Sequence, residues 1–399
     1  MKSIKNCVLT INGGSSSIKF ALYEIEESLT QVLSGEIESI GMKSARLSFY
    51  NFNTNQKDTI NIEVTSHDDA ANFLIDWFEK QDVFASVRAI GHRVVHGMKH
   101  TEPELIIPEL LNELKNISAY DPEHLPEEIK LIEVFSKRYS SLPQIACFDT
   151  SFHTSMPEVA KLLAIPRRYK AMGIQRYGFH GLSYSYLIEE LNRVAGSMIA
   201  HGRIILAHLG SGASLAAVKG GKSIDTSMGF TPTSGLLMGT RTGDLDPGVA
   251  WYLMQAEKLS PEQFNYLINY ESGLLGISET SSDMRELIKN KNTDTYAAEA
   301  IELFCYQTKK WIGSFAVVLG GLDTLVFSGG IGEHSPEIRY HICNGMKFLG
   351  IELDGAKNIM SESIISTPES NVCVRVIKTN EELMIARMTC RTMNYDIKQ

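Results

Sequence analysis

The sequence predicts a mixed α/β protein built from two domains of related fold. Its 399 residues exceed what a single hydrophobic core commonly organises. Short apolar runs that are typical of buried strands alternate with longer stretches of helical periodicity. The strand–turn–strand pattern of residues 7–24 returns at residues 204–219, again with serine after glycine. This repeat indicates two similar halves that face a shared ligand, although any α/β chain contains several strand–glycine turns.

Composition and charge argue against several classes of protein. The chain is 43% hydrophobic and 21% charged, as ordinary globular proteins are. Its formal net charge is −9 and no Lys/Arg cluster stands out, so no nucleic-acid partner is expected. The six cysteines are scattered without a CxxC pair, which fits a reducing cytoplasm better than a zinc site or a disulfide framework. The first apolar run stops at Ile11, too short for a signal peptide or a membrane span, so no membrane partner is expected.

The first domain is predicted over residues 1–150. Strands are predicted on both sides of a Gly/Ser turn within 7–24, as half-buried antiparallel strands at 46–50 and 59–64, and as short buried strands at 87–90 and 144–148. Helical spacing predicts helices at 67–80, 105–117 and 126–138. Asp149 follows the last of these strands, a position that commonly carries chemistry in open α/β sheets.

The second domain shows the same alternation. Helices are predicted at 183–194, 247–258, 261–270, 281–289 and 296–320, with a last helix from 383. Strands are predicted at 204–207, 213–218, 323–327 and 371–377. The end of the long helix is apolar nearly all round from Ile312 to Leu319, which predicts full burial, as in a subunit interface.

Two glycine-containing segments of the second domain favour phosphate binding. Gly210-Ser211-Gly212 joins two strands, and such a bend leaves backbone N–H groups free to cradle a phosphate. Residues 229–248 contain no lysine or glutamate and place Arg241 among small residues. Its planar guanidinium can neutralise phosphoryl oxygens there. The same residues also fit a plain β-hairpin followed by a surface loop.

Other candidates are framed by glycine or stand at helix starts. Arg93 lies between Gly91 and Gly97, and His180 lies between Gly178 and Gly181 ahead of a predicted helix, although a lone histidine is often structural. Residues 328–332, SGGIG, follow a strand, so that their backbone can approach a nucleotide closely. They match neither the Walker nor the Rossmann fingerprint.

These features together fit phosphoryl transfer. That reaction needs backbone donors around phosphates, a divalent cation held by carboxylates, and positive groups at the equatorial oxygens of the moving group. The residues also resemble the acetokinase family of the acetate and sugar kinase, heat-shock ATPase and actin superfamily. The matching motifs run nearly the full length of the chain: NGGSSSIKF, GHRVVHG, CFDTSFH, RYGFHG, HLGSGAS, MGFTP, GLLMGTRTGDLDPG, ESGLLG, SSDMR, FSGGIGE and TNEELMIAR.

This resemblance implies two ribonuclease-H-like (actin-like) domains, residues 1–150 with 386–399 and residues 151–385, with the nucleotide in the cleft between them. It also implies a homodimer formed through the second domain. The family reaction moves a phosphoryl group between ATP and a short carboxylate such as acetate, giving ADP and an acyl phosphate such as acetyl phosphate. Mg²⁺ or Mn²⁺ is the expected cofactor.

The resemblance also implies a role for each matching residue. The groups expected at the reacting atoms are Arg93, Arg241, His180 and Asp149. The groups expected to position the metal are Asp149, Asn12 and Glu381, the last of these through water. The residues expected along the phosphates and the nucleotide are Asn12, Ser15, Ser17, Lys19, His208, Gly210, Ser211, Gly212, Gly330, Ile331 and Gly332, with Asp283 and Arg285 near the adenosine. The residues expected to wall the acyl pocket are Val95, Phe179 and Pro232. Asp149 is not expected to act as a general base, since a carboxylate acceptor is already ionised at neutral pH.

Three segments depart from the family pattern. Ser211 stands where the family usually has asparagine. Residues 118–126 replace the usual APLHNP segment, which leaves Leu125 as one candidate for the pocket leucine. Residues 229–235 read GFTPTSG instead of GMTPLEG. The last two changes fall near the expected acyl site and leave the phosphoryl machinery intact.

Three functions remain open from the sequence. The first is an acetate kinase, with propionate or another small acid as the variant, since one methylene is worth only roughly 1–3 kcal/mol in an apolar pocket. The second is an ATP-driven conformational or filament protein of the same superfamily, against which the retained Arg93, His180 and Arg241 argue. The third is a non-catalytic ATP-binding homologue, which the altered acyl region keeps open.

Overall fold

The computed structural model describes residues 5–14 and 16–397 of the chain. The fold is mixed α/β, as predicted, and the chain divides into two compact units, Met1–Ser151 with Asn380–Gln399, and Phe152–Thr379. The chain returns to the first unit at Asn380, earlier than the expected residue 386. It does so because the last helix packs as one piece on the first sheet, where Gly91 leaves room for Thr389 and Ile385.

The strands, in chain order, are β1 (Cys7–Gly13), β2 (Ile18–Ile25), β3 (Leu29–Glu38), β4 (Arg46–Asn51), β5 (Gln56–Asn61), β6 (Val87–Val94), β7 (Glu104–Leu105), β8 (Gln144–Phe148), β9 (Arg203–Leu209), β10 (Ala213–Lys219), β11 (Lys222–Thr226), β12 (Thr324–Ser328) and β13 (Cys373–Val376). The α-helices are α1 (His67–Phe78), α2 (Pro108–Asn116), α3 (Leu125–Arg138), α4 (Glu158–Lys161), α5 (Arg168–Ala171), α6 (Gly181–Ala195), α7 (Ser197–Ala200), α8 (Pro247–Ala256), α9 (Pro261–Tyr270), α10 (Gly273–Ser278), α11 (Met284–Asn290), α12 (Thr295–Leu319), α13 (Gly329–His334), α14 (Pro336–Cys343), α15 (Gly355–Ile359) and α16 (Glu381–Thr392). Short 3₁₀ helices cover Asp82–Ser86, Ser118–Tyr120, Ser151–Ser155 and Lys347–Leu349.

The first unit contains one sheet with the strand order β5-β4-β3-β2-β1-β6-β8-β7. Strands β1 to β5 pair antiparallel, whereas β1, β6 and β8 pair parallel. Every residue of β8 is buried, as expected for a parallel strand covered on both faces. The carboxyl ends of β1, β6 and β8 therefore lie at one edge of the sheet. The candidate residues of this unit lie at or near that edge.

The second unit repeats this plan with the order β11-β10-β9-β12-β13. The hairpin of β9 and β10 is antiparallel, and β9, β12 and β13 pair parallel. The strands correspond in position to β3-β2-β1-β6-β8 of the first unit, which is the repeat that the sequence predicts. Ser328 pairs with His208, so the turns that follow β9 and β12 lie at the same edge of this sheet.

The structure differs from the predicted elements at several strands. Strand β3 was not predicted, because polar residues and Gly35 interrupt its apolar pattern. A Cβ at Gly35 would overlap the ring of Phe20, so glycine allows this ring to pack across the strand. Strand β5 begins at Gln56 rather than at residue 59, and β6 continues to Val94, which places Arg93 within a strand.

The end of helix α12 also differs from its prediction. Ile312, Phe315 and Leu319 are buried, but Val317 is 79% exposed and Val318 is 48% exposed in this chain. The prediction of full burial is therefore wrong for the chain by itself. In the part of the chain that the structure describes, no helix is both long and apolar enough to cross a membrane.

Buried histidines of the first unit predict a loss of stability in mild acid. His92 hydrogen-bonds through Nε2 to Gln144 Oε1 at 2.6 Å, and burial lowers its pKa from 6.5 to about 4. Burial lowers the pKa of His96 to about 4 as well. The unfolded chain therefore binds more protons than the folded chain between pH 6.5 and pH 4, and stability falls as the pH falls through this window. We expect each histidine to cost about 2 kcal/mol between pH 6.5 and pH 5.

Denaturant unfolding of the wild type and of His92→Phe at both pH values checks this expectation. The variant loses the bond to Gln144 and is less stable at pH 6.5, but its loss of stability between pH 6.5 and pH 5 is smaller than that of the wild type. Equal losses on acidification for the two proteins would contradict the assignment.

Candidate active site

A buried ion-pair cluster forms where β1, β6 and β8 of the first unit end. Arg93 donates through Nε (3.2 Å) and a terminal nitrogen (2.9 Å) to Asp149 Oδ2, and through its other terminal nitrogen to Glu128 Oε1 at 3.1 Å. The latter nitrogen also donates to the carbonyl oxygen of Gly13 at 3.2 Å. The second oxygen of Glu128 accepts from the backbone N–H of Val95 at 2.7 Å. The Arg93 side chain is thereby fixed by three separate segments of the chain.

The electrostatics of this cluster keep Arg93 charged. Burial opposes the charge, but the carboxylates of Asp149 and Glu128 raise the pKa of Arg93 above its usual range, and Glu381 adds to this effect. Burial raises the pKa of Glu128, which the guanidinium and the Val95 N–H oppose. A cation held by two buried carboxylates has a fixed geometry, which a substrate carboxylate or phosphoryl group can exploit.

The candidate metal residues Asn12 and Glu381 lie together at the start of α16. Asn12 Nδ2 donates to Glu381 Oε2 at 3.0 Å and to Glu382 Oε1 at 3.3 Å. Burial and the neighbouring Glu381 raise the pKa of Glu382. Carboxylate and amide oxygens are the ligands that Mg²⁺ prefers, so this donor set fits the ion. Within residues 5–14 and 16–397, no group of three or more His, Cys, Asp and Glu side chains has the arrangement of a metal site.

Lys19 lies opposite Asn12 in the β1–β2 hairpin and opposite Glu36 on β3. Desolvation opposes its charge, but Glu36, Glu382 and Glu381 raise the pKa of Lys19 above its usual value. The ammonium group therefore adds a second cation to this side of the first unit. Of the two predicted serines, Ser17 accepts through its carbonyl from Gly14 N–H at 2.8 Å, and Ser15 lies outside the described residues.

In the second unit, the Gly210-Ser211-Gly212 turn is surrounded by the predicted cationic and imidazole groups. A Cβ built on Gly212 would lie 3.2 Å from His180 Nε2 and 3.9 Å from a terminal nitrogen of Arg241. A Cβ built on Gly210 would lie 3.8 Å from His208 Nε2 and 3.9 Å from the backbone nitrogen of Gly330. The structure thus brings these side chains and the two glycine-rich turns together, so that several hydrogen-bond donors border one small volume.

The two imidazoles at this turn are held in place from behind. His180 caps α6 in the left-handed region, with φ of 59°, and its ring stacks on that of His208 with centroids 4.4 Å apart. Its Nδ1 hydrogen-bonds to Ser214 Oγ at 2.8 Å, and Nδ1 of His208 hydrogen-bonds to Ser183 Oγ at 2.8 Å. The Nε2 atoms are therefore the ones that border the turn.

The loop that carries Arg241 is fixed by its own backbone. Met238 N–H donates to the carbonyl oxygen of Arg241 at 3.0 Å, and a terminal nitrogen of Arg241 donates to Pro232 O at 3.3 Å. Gly273 has φ of +63°, and a Cβ there would lie 2.7 Å from the carbonyl oxygen of Arg241. Gly239 N–H donates to Ser211 O at 2.9 Å and joins the loop to the Gly210-Ser211-Gly212 turn.

The glycines after β12 form the first turn of a helix, α13, rather than a loop ahead of one. Glu333 Oε1 accepts from Gly329 N–H at 2.9 Å and from Thr379 N–H at 3.0 Å. Arg339 is fully buried and donates to the carbonyl oxygens of Gly332 (2.8 Å) and Glu333 (3.0 Å). Side-chain hydrogen bonds therefore hold both ends of α13.

Position 329 is the one in this turn that accommodates only glycine. Its φ is +75°, and a Cβ there would lie 2.7 Å from the carbonyl oxygen of Leu209. We expect Gly329→Ala to destabilise the second unit by at least about 2 kcal/mol, because it combines left-handed strain with a backbone clash. Thermal unfolding checks this, with Gly345→Ala as the control. Gly345 has φ of +79° but open space around its Cα. An equal loss of stability in both variants would show that backbone strain alone, without the clash at Leu209, accounts for the effect of Gly329→Ala.

The remaining predicted residues have simpler surroundings. Val95, Phe179 and Pro232 are buried, each within its own unit, and so is Leu125. Asp283 caps α11, and its carboxylate accepts from the Arg285 side chain at 3.0 and 3.1 Å. Arg285 is 90% exposed. Its guanidinium lowers the pKa of Asp283.

Several residues of the site were not identified from the sequence. Glu128 and Arg339 each occupy a position in the apolar stripe of their helix, α3 and α14, and a charge in such a stripe is the signal that could have identified them. Glu333, Ser214 and Ser183 act through contacts between distant segments, for which the sequence has no local signal.

The sequence is similar to acetate kinases over nearly its whole length. The profile of the Acetokinase family matches residues 7–387. The chain is 45% identical over 394 residues to an acetate kinase of Rhodopseudomonas palustris, covering 97% of this chain and 98% of the relative. It is 42% identical over 396 residues to an acetate kinase of Dictyoglomus thermophilum, covering 97% and 99%.

Solved structures agree with these matches. A Porphyromonas gingivalis acetate kinase superimposes with a TM-score of 0.86 at 36% identity, covering 97% of this chain and 100% of the other. A Francisella tularensis propionate kinase superimposes with a TM-score of 0.90 at 37% identity, covering 97% and 99%. The matches extend over both units, and the motifs that carry the site fall within the matched residues. The chain therefore belongs to the acetokinase family.

Proposed function

We propose that this chain catalyses reversible phosphoryl transfer between ATP and acetate, giving ADP and acetyl phosphate by direct in-line transfer. The observation that carries the proposal is the arrangement around Gly212, where His180 Nε2 and the Arg241 guanidinium border the same glycine turn. Backbone N–H groups, an imidazole and a guanidinium are the donors that stabilise phosphoryl oxygens in such a transfer. Acetate as the acid is supported by relatives that are acetate kinases at 42–45% identity over nearly their whole length.

In this proposal Arg93 and Arg241 hold the carboxylate and the transferring phosphoryl group. A carboxylate nucleophile is ionised at neutral pH, so no general base is needed. The buried carboxylate of Asp149 then serves to orient Arg93, to which it is hydrogen-bonded through two nitrogens. The backbone of Gly210, Ser211 and Gly212 lines the phosphates, and residues 330–332 line the nucleotide.

The proposed cofactor is Mg²⁺, which Mn²⁺ can replace. Asn12 and Glu381 would hold it, Glu381 through water, with Asp149 nearby, because their oxygen donors suit a hard cation that keeps several waters. When bound, the ion supplies positive charge to the phosphate oxygens. The side chains of this chain would position the ion, bind the acid and exclude water from the phosphoryl group.

We also propose that the protein is a cytoplasmic homodimer. Large aromatic side chains of the second unit are exposed on α8, α9 and α12: Trp251, Tyr252, Tyr266, Tyr296 and Tyr306. Exposed aromatic surface of this extent supports a protein interface. The cysteines of the described residues are all free thiols, which supports a reducing compartment.

A kinase for propionate or another short acid is the alternative. It is supported by the structural similarity to a propionate kinase and by the altered residues 118–126 and 229–235. An apolar pocket discriminates poorly between acids that differ by one methylene. The two functions share every proposed residue of the phosphoryl machinery and differ in the acid alone.

The test is acyl phosphate formation from ATP and Mg²⁺ with acetate, propionate, butyrate and a sugar alcohol, each with an EDTA control. We expect acetate to give the highest kcat/KM and the sugar alcohol to give no product. A higher kcat/KM for propionate or butyrate would establish the alternative. Failure of every acid would refute the transferase proposal and favour an ATP-binding homologue without catalysis.

A further inference from the structure

His180 presents a defined nitrogen to the phosphate-binding turn. Its Nε2 lies 3.2 Å from the position of a Cβ on Gly212, whereas its Nδ1 points away and hydrogen-bonds to Ser214 Oγ at 2.8 Å. The ring plane is fixed by stacking on His208, with 28° between the two planes. Rotation of the ring would break both contacts, so the orientation of the imidazole is set by its surroundings.

Ser214 belongs to a chain of hydroxyl groups. Its Oγ also hydrogen-bonds to the hydroxyl group of Tyr184, and both side chains are fully buried. Because a phenol is a stronger donor than an aliphatic alcohol, we assign the hydrogen of this bond to Tyr184, so that Ser214 Oγ accepts it. With that assignment, the hydroxyl hydrogen of Ser214 is directed to Nδ1 of His180, and Nδ1 accepts it. A neutral imidazole with Nδ1 as acceptor carries its own hydrogen on Nε2.

We propose that Ser214, supported by Tyr184, is a positioning residue that fixes His180 in the neutral form with its hydrogen on Nε2. In this form His180 donates a hydrogen bond from Nε2 toward the group bound at the Gly210-Ser211-Gly212 turn. The opposite form would place a lone pair there and would repel phosphoryl oxygens. The inference rests on the proposed phosphoryl transfer for its consequence, but the position of the hydrogen is a property of the protein alone.

The first measurement is the tautomer itself. Long-range ¹H–¹⁵N spectra of protein labelled at histidine report which ring nitrogen carries hydrogen, and the His180→Ala spectrum identifies the His180 signals. We expect the wild type without substrate to show His180 with hydrogen on Nε2. We expect Ser214→Ala to show a mixture of both forms, and Tyr184→Phe to show a smaller change in the same direction. A wild-type signal with hydrogen on Nδ1 would overturn the proposal.

The second measurement is kinetic and separates positioning from structural support. We expect Ser214→Ala to lower kcat roughly 10- to 100-fold, as loss of a group that orients a functional side chain commonly does, with little change in KM for ATP. In the His180→Ala background the same substitution should cost almost nothing further, because Ser214 acts through His180. Full additivity of the two losses would refute a role through His180.

A matched control and the dependence on the proposed function complete the test. Thr308→Val removes a buried hydroxyl group that donates to Phe304 O at 2.8 Å in α12, so it should lower stability without changing kcat or the His180 spectrum. If the wild type transfers no phosphoryl group, the proposed function fails while the spectra still decide the tautomer. If Ser214→Ala does not fold, Tyr184→Phe tests the same chain of hydroxyl groups by both readouts.

Discussion

Replacing Arg241 by alanine is expected to lower kcat for acetyl phosphate formation by about 10³- to 10⁵-fold, the range seen when a guanidinium is removed from a transferring phosphoryl group. The reason is local. Its guanidinium borders the Gly212 turn at 3.9 Å from the position of a Cβ, and its backbone is fixed by Gly273 and Met238. Steady-state kinetics with acetate, ATP and Mg²⁺ measure this loss, and the free energy of unfolding should change by less than about 1 kcal/mol.

Two further variants give this prediction its controls. Arg241→Lys keeps the positive charge but lacks the planar fork, so we expect an activity between those of the wild type and the alanine variant. Arg193→Ala removes an arginine that is 69% exposed and pairs with Glu190 on the same helix, and it should keep wild-type kcat. Wild-type kcat in Arg241→Ala would show that this guanidinium does not act on the phosphoryl group.

The fold was predictable where local pattern and burial agree. The hairpins β1–β2 and β9–β10, the buried strands β8 and β12, and the repeat between the two units follow from apolar runs that meet glycine turns. Strand β3 was not predicted because Gly35 interrupts its apolar pattern. This glycine is needed to leave room for the ring of Phe20 on the neighbouring strand β2, a contact that the sequence of β3 alone does not show. The end of α12 was predicted to be fully buried but is partly exposed. A run of apolar residues does not indicate whether this chain or a partner covers them.

The candidate site was predictable only in its motifs. Glycine turns and an arginine among small residues form a local sequence pattern, which is why Gly212 and Arg241 were predicted. The residues that orient side chains of the site, such as Glu128, leave only the weaker signal of a charge in an apolar helix stripe. Glu128 reads in the sequence as an acidic residue in the first turn of α3, where it favours the helix dipole. In the structure it is buried and bridges Arg93 to the backbone of Val95, a role that depends on how α3 packs on the sheet.

That bridge makes Arg93 the residue whose loss should affect both stability and catalysis. Arg93→Ala leaves the carboxylates of Asp149 and Glu128 buried without their cation, which we expect to cost about 3–5 kcal/mol of unfolding free energy at pH 8. Without the guanidinium, burial raises the pKa of Glu128 further above its usual 4.5. The folded variant then holds a proton that the unfolded chain releases, so stability is lost as the pH rises above 4.5. In the wild type the pKa of Glu128 is already raised, to about 8, so both proteins lose this stability up to that pH, and only the variant continues to lose it above pH 8. The destabilisation relative to the wild type should therefore be smaller at pH 5 than at pH 9.5, as denaturant unfolding measures.

Activity distinguishes the structural role of Arg93 from its chemical role. We expect Arg93→Ala to lower kcat by at least about 10³-fold, since a cation that holds the carboxylate or the phosphoryl group is removed. Adding Glu128→Gln to this variant removes one of the two stranded charges and should restore part of the stability, and with it the weaker dependence on pH. It restores no cation, so kcat should stay low. Recovery of kcat together with stability in the double variant would mean that Arg93 supports the fold of the first unit and takes no part in phosphoryl transfer.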